Sequence, residues 1–196
     1  SEETARAATD KGVMRDTWAR AGLAQPAYVV LDESATAADA RRAAFTLGFP
    51  VIVKPAYSGG GGRGVHIVRG DSEISAAFAS AQAFAQNGRV VVEDFVPGTE
   101  LTVETQSYDG RVEILGISDK IKPPYTSRVA TTLSYPAVLP AEVLARVRAL
   151  CTAAVTALGI GMGAAHTEII VGHNGQAKLV ECGARGGGGH IFGRIV

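Results

Sequence analysis

Cysteine is scarce in this chain. Cys151 and Cys182 are the only two in 196 residues; they lie far apart and form no C-x-x-C pair. That excludes a disulfide framework and predicts a cytoplasmic protein with reduced thiols. A charge imbalance is missing as well, since nineteen basic residues meet nineteen acidic ones. Bulk electrostatics therefore favour neither nucleic acid nor an anionic membrane, and leave room only for a local basic pocket. No uninterrupted apolar stretch is long enough to span a bilayer, and no basic, apolar leader opens the chain. What is present is 46% hydrophobic and 19% charged residues, enough for a compact body of one domain or two small lobes. Glycine is abundant, with 24 residues, four of them at Gly59–Gly62 and four at Gly186–Gly189. Glycine runs permit close backbone approach at the expense of order; the competing reading of either run is a flexible linker.

Periodicity predicts a helix from Glu2 to about Gly22 with Trp18 as its large anchor, a strand over Tyr28–Leu31, and a helix over Ala35–Leu47. A buried strand over Pro50–Lys54 leads into the first glycine run, followed by a strand over Val65–Val68 and a helix over Ser72–Gln86. Three strands are expected at Arg89–Phe95, Leu101–Tyr108 and Val112–Ser118, with Asp109-Gly110 turning the last two into a hairpin. The stretch from Lys120 to Pro140 reads as a long lid or substrate loop. Lys120, Lys122 and Arg128 within it are expected to be solvated or to meet a substrate carboxylate. Pro140 starts a helix whose apolar stripe, Cys151 included, reads as core, and Gly159 ends it. Strands over Gly163–Val171 and Ala177–Cys182 complete the chain before the second glycine run. Mixed strands and helices with several hairpins indicate an α+β, or mixed α/β, fold and not a doubly wound parallel sheet.

The last hairpin carries the most chemistry. Asn174-Gly175 is a preferred two-residue turn, and it places Ile170 opposite Leu179, Glu168 opposite Glu181 and His166 opposite Gly183. Two carboxylates directly opposed on one sheet face repel each other. Either a divalent cation sits between them, or they share a proton, or both splay into water at an exposed edge. Glu104 on a neighbouring strand has no assigned role, and His166 shares the face of Glu168. Neither His166 nor His190 belongs to a zinc motif, and His66 reads as structural.

Gly59, Gly61 and Gly64 satisfy G-x-G-x-x-G, but Val65–Val68 follows where a dinucleotide fingerprint needs a helix. No Gly-Lys-Ser/Thr closes the run, so it is not a P-loop either. Strand, glycine flap, strand is an arrangement that can fold over phosphates, with Lys54 adding a point charge. A floppy surface hairpin with a solvated lysine is the competing reading.

Taken together, Asp10-Lys11 with Met14-Arg15, Lys54 with Gly59–Gly64, Val92-Glu93-Asp94-Phe95-Val96-Pro97-Gly98-Thr99-Glu100, His166-Thr167-Glu168 and Glu181-Cys182-Gly183-Ala184-Arg185 resemble the ATP-grasp enzymes in order and spacing, over essentially the whole chain. The resemblance implies two small α+β lobes with ATP held between antiparallel sheets. It divides the chain into an N-terminal helical segment (1–27), a smaller lobe with the flap (28–96) and a larger lobe with the magnesium site (97–196). Lys11 and Lys54 would contact ATP phosphates beneath Gly60, Gly61 and Gly62. Glu93, Asp94, Phe95 and Val96 would form the hinge that receives adenine, and Glu100 would bind the ribose hydroxyls. Glu168 and Glu181 would hold Mg²⁺, and Arg185 would steady the transferring phosphoryl group.

Gly-Ala-Arg followed by glycines resembles most the ligases that join an amino-acid carboxylate to an amine through an acyl phosphate. Biotin carboxylase and the purine-pathway ligases are further relatives, and a catalytically impaired ATP-binding module or a glycine-rich interaction domain are the alternatives. The implied partners are small-molecule carboxylates and amines, not nucleic acid or membrane, with a homodimer allowed in the full-length protein. Two departures stand out. Gly183 replaces the asparagine commonly found between the acid and the arginine, which removes one metal ligand. The family's N-terminal domain and its chain beyond the last glycines are not in this sequence, so an excised domain is expected.

Overall fold

The computed structural model describes residues 1–122 and 130–188. Arg128, Gly189 and His190 lie outside the described residues. By its internal contacts the chain forms two compact units, one of residues 10–15 and 26–96, the other of residues 1–9, 16–25 and 97–196. The N-terminal segment thus contributes to both.

The expected single N-terminal helix is two, α1 (Glu2–Thr9) and α2 (Lys11–Arg20). The break falls at Asp10, whose Oδ1 accepts the amides of Gly12 at 2.8 Å and Val13 at 3.2 Å. A short acidic side chain bonding the free amides of a new helix caps it, and periodicity alone does not show that.

The first unit is built on β1 (Tyr28–Leu31), β2 (Val51–Pro55), β3 (His66–Val68) and β4 (Val90–Asp94), hydrogen-bonded antiparallel in the order β1-β4-β2-β3. Helices α3 (Ala37–Leu47) and α4 (Ile74–Phe84) cover one face, a 3₁₀ turn over Asp71–Glu73 leading into α4. Val51, Val53, Val68, Val90 and Val92 pack there against Ala40, Ala44, Phe78 and Ala81. Side chains alternate across a strand. Lys54 and Glu93, next to these valines in sequence, therefore project from the other face.

The second unit contains β5 (Gly98–Tyr108), β6 (Arg111–Ile121), β7 (Thr132–Ser134), β8 (Gly163–Gly172) and β9 (Ala177–Gly183), antiparallel in the order β7-β6-β5-β8-β9. Helix α5 (Ala141–Ala157) packs on β6, β8 and β9 through Val143, Val147, Cys151 and Val155. The region expected to be one long loop from Lys120 to Pro140 is partly sheet. Lys120 and Ile121 continue β6, and Thr132–Ser134 pairs back onto them.

The β8–β9 hairpin keeps the expected pairing where it matters and departs from it at the turn. Glu168 opposes Glu181 and His166 opposes Gly183, but Leu179 faces Ile169, not Ile170. The loop has three residues: Gly172 bonds Gln176, and Gly175, at φ 73°, closes a turn onto the Gly172 carbonyl. That moves the register by one residue. A bulge at Val180 moves it back before Glu181 is reached, so the two errors cancel at the acids.

Trp18 in α2 is fully buried, and its indole N–H donates to the Ala154 carbonyl of α5 at 3.2 Å. Trp18→Ala should destabilise this unit by about 3–5 kcal/mol through cavity formation and a lost partner for Ala154. Urea unfolding measures it, and a loss under about 1 kcal/mol would show that the site collapses freely.

Candidate functional site

Each unit carries a group of charged residues on the sheet face opposite the one that α3 and α4, or α5, cover. In the first unit the centre is Glu93. Its Oε2 accepts Arg15 Nη2 at 2.7 Å and Nε at 3.0 Å, and its Oε1 accepts Lys54 Nζ at 2.5 Å. All three side chains are almost wholly buried. Burial alone would raise the Glu93 carboxyl; Arg15 and Lys54 outweigh it and hold the group below the ordinary carboxylate value. Lys11, also buried, opens α2, and its amide bonds the Ala56 carbonyl at 2.7 Å just beyond β2.

The flap follows β2. Gly60, Gly61 and Gly62 lie at φ 76°, 73° and 68°, and Gly64 at 71°, a left-handed run that side-chain-bearing residues rarely adopt. At the end of β4 the Asp94 and Phe95 amides bond the Ala27 and Pro50 carbonyls. Val96 follows, half-buried at the end of the unit.

In the second unit the residues form a charged face. The β5–β8 and β5–β6 registers put Glu100, Thr102 and Glu104 on one side with His166, Glu168, Ser118 and Lys120. Lys120 Nζ lies 2.5 Å from Glu168 Oε1 and 3.6 Å from Glu100 Oε2, and Lys122 Nζ lies 2.5 Å from Glu100 Oε1. His166 Nδ1 is 2.6 Å from Glu104 Oε1, and its Nε2 is 3.8 Å from Glu168. Burial opposes the imidazolium, but Glu104 and Glu168 outweigh it and push His166 up to about 9. Glu168 is subject to a burial penalty, yet His166 and Lys120 hold it well below the usual range. It is ion-paired to Lys120 and, being only 26% exposed, is not splayed into water.

Two opposed carboxylates on one face, at least one firmly ionised, fit a divalent cation that takes its remaining oxygens from phosphate and water. Among the described residues no cluster of three or more His, Cys, Asp or Glu suits a metal. Gly183 opposite His166 supplies no side-chain oxygen.

The family whose model matches the chain is described as "D-ala D-ala ligase C-terminus", and the match runs from residue 17 to 187. The chain belongs to this D-Ala-D-Ala ligase C-terminal family. Among curated proteins it is similar to a D-alanine–D-alanine ligase of Desulforudis audaxviator, 36% identical over 182 residues, covering 89% of this chain and 57% of that protein. Its fold is the ATP-grasp fold. An L-amino acid ligase of Bacillus licheniformis superposes with a TM-score of 0.79 at 29% identity, over 96% of this chain and 43% of that one. A Campylobacter jejuni biotin carboxylase, solved as a β-γ-ATP complex, gives 0.87 at 25% identity over 100% and 44%. The chain thus spans about half the length of the relatives it matches.

Within this D-Ala-D-Ala ligase family member, the structure brings together Lys54 and Glu93 in one unit, and Glu100, Glu168 and Glu181 on the charged face of the other. Arg185 is exposed just beyond β9, where its Nη1 bonds the Gly186 carbonyl and its amide the Gly183 carbonyl. Glu104, without a role in the sequence reading, is 2% exposed and central to the face. Lys120 and Lys122, read from the sequence as solvated or facing substrate, are ion-paired in and just after β6. An acid directly between Val103 and Thr105 is the local signal for Glu104. Arg15, which clamps Glu93, had only its place in the opening motif. His66 Nε2 lies 2.8 Å from Ser80 Oγ. Both cysteines are buried thiols, pushed up by burial to about 12 for Cys151 and about 11 for Cys182.

Glu93 has a depressed folded-state value, so it adds stability above the unfolded carboxylate value, near 4.5, and loses it as pH falls. Glu93→Gln should cost about 3–5 kcal/mol at neutral pH by removing the buried carboxylate charge that Arg15 and Lys54 share. The difference from wild type should shrink as pH drops below about 4.5. Paired chemical denaturation curves from pH 7 to 3 check it; a pH-independent difference would contradict the ion-pair account.

Proposed function

We propose that this chain is the ATP-binding part of a carboxylate–amine ligase that activates a carboxylate as an acyl phosphate and passes it to an amine. The observation that carries the reading is the opposition of Glu168 and Glu181 on a charged sheet face, in a chain whose family is that of D-Ala-D-Ala ligases. Similarity to enzymes described as D-alanine–D-alanine and L-amino acid ligases supports amino acids as the substrate class. The free thiols suit a cytoplasmic enzyme.

In this reading Glu168 and Glu181 hold Mg²⁺, which would neutralise triphosphate charge. Lys11 and Lys54 add positive charge at the phosphates, and the glycine flap offers backbone amides over them. The segment Glu93–Val96 receives adenine, Asp94, Phe95 and Val96 through their backbone, and Glu100 accepts the ribose hydroxyls. Arg185 steadies the transferring phosphoryl group, and flap closure excludes the water that would hydrolyse an acyl phosphate. An attacking carboxylate oxygen forms the new bond to γ-phosphorus while ADP leaves. The amine nitrogen then adds to the acyl carbon, phosphate departs, and the amine proton passes to solvent.

A second reading, an ATP-binding module without turnover, is favoured by Gly183, which supplies no metal ligand. The two are separated in the full-length protein by phosphate release with a panel of amino-acid pairs.

Glu181→Gln in that protein should abolish the magnesium-dependent part of the melting shift given by ATP. A shift equal to wild type would remove the metal assignment. Lys54→Ala should weaken nucleotide binding about tenfold or more, as loss of a charge-assisted contact does, and an unaltered ATP titration would count against it.

A further inference from the structure

Glu104 does something the proposed chemistry does not use. It sits in the middle of β5, 2% exposed, with both carboxylate oxygens committed. Oε1 lies 2.6 Å from His166 Nδ1 on β8, and Oε2 accepts the backbone amide of Gly187 at 3.1 Å. Gly187 comes two residues after Arg185 and four after the end of β9. A long-range bond from a buried carboxylate to the backbone of a glycine-rich segment is a fastening. It also explains the glycine, since a Cβ at 187 would lie 2.2 Å from Glu104 Oε1 and 2.7 Å from His166 Nδ1. Either the carboxylate or the segment would have to move.

The segment is tied at its other end as well. The Arg185 amide bonds the Gly183 carbonyl at 2.8 Å, and the Arg185 side chain lies over Gly183, within 3.5 Å of where a Cβ would be. Arg185 is therefore held between a turn at Gly183 and the Glu104 clasp at Gly187. A lost clasp would leave the first tie alone to limit where the guanidinium can go.

We infer that Glu104 is a positioning residue: with His166 it clasps the Gly187 amide to the charged face and so fixes the reach of Arg185. The inference rests on the proposed function for its catalytic consequence but not for the clasp itself. Misplacing a group that steadies a transferring phosphoryl costs rate more than nucleotide binding.

The test uses the full-length protein with Glu104→Ala, Gly187→Ala and both together. Tryptic cleavage at the exposed Arg185–Gly186 bond should quicken in each single variant relative to cleavage at Arg69–Gly70 in the other unit. Phosphate release should show kcat lower by about tenfold to a hundredfold with KM for ATP little changed. The double variant should match Glu104→Ala, because that change removes the bond and the nearer of the two obstacles, and a segment already released from the face can carry its methyl group clear of His166. Unchanged cleavage and kcat in both single variants, or effects that simply add, would overturn the clasp. Should Glu104→Ala fail to fold, Gly187→Ala alone decides by cleavage and kcat. Absence of any ATP-induced melting shift in the wild type would sink the ligase reading, whereas the cleavage assay needs no nucleotide and judges the clasp independently.

Discussion

A β-strand offers one face to whatever covers the sheet and the other to whatever does not, and a slip of one residue exchanges them. Both units of this chain depend on that constraint. The valines of β2 and β4 meet α3 and α4, so Lys54 and Glu93 are carried on the opposite face. Leu101, Val103, Ile169 and Leu179 are buried on the side of α5, so Glu100, Glu104, His166, Glu168 and Glu181 share the other. The second sheet corrects its register twice to keep this arrangement. The bulge at Val180 returns Glu181 to Glu168 after a three-residue loop. In the β5–β6 hairpin the pairing that starts at Tyr108–Arg111 would carry Lys120 to the helix side. A bulge at Leu115 shifts it, and Thr102 then meets Ser118. Both bulges stand beside the charged face, where re-aiming a side chain has consequences.

Burying so many charges is costly unless each is paired. The pairings are shared instead of one to one. Glu93 takes two cations, Glu168 takes Lys120 at 2.5 Å with His166 at 3.8 Å, and Glu100 takes Lys122 with Lys120 further off. Nineteen positive and nineteen negative residues cancel over the whole chain, and the cancellation is also local at these acids. A composition without net charge is thus compatible with dense, compensated charge at one place.

How much of this was legible depended on how local the cause was. Tyr28–Leu31 and the Asp109-Gly110 turn follow from short-range pattern, and the opposition of Glu168 and Glu181 was found by counting from a turn. The count succeeded although its premise was off by one, because Val180 compensated; Ile170 against Leu179, on the other side of the bulge, shows where it failed. The helix break at Asp10 was missed because a cap is a side-chain bond and not a period. Lys120 escapes the strand pattern because its partner strand, β7, is only three residues long. Glu104, Arg15 and His166 owe their importance to contacts across 83, 78 and 62 positions respectively, with Gly187, Glu93 and Glu104. No window along the chain contains such pairs.

The shared pairings also bear on how a charged face can accept a ligand. Were Lys54 the only cation on Glu93, its movement to a phosphate would strand a carboxylate that is nearly all buried, at a cost of several kcal/mol. Arg15 removes that obstacle, since its Nε and Nη2 both stay on Oε2 while Lys54 occupies Oε1. Glu168 has a more distant second partner in His166, whose Nε2 lies 3.8 Å away. An acid with one permanent and one exchangeable partner can trade the second for ligand charge without being left bare. A one-to-one salt bridge, equally buried, would resist the ligand by the whole of its own strength.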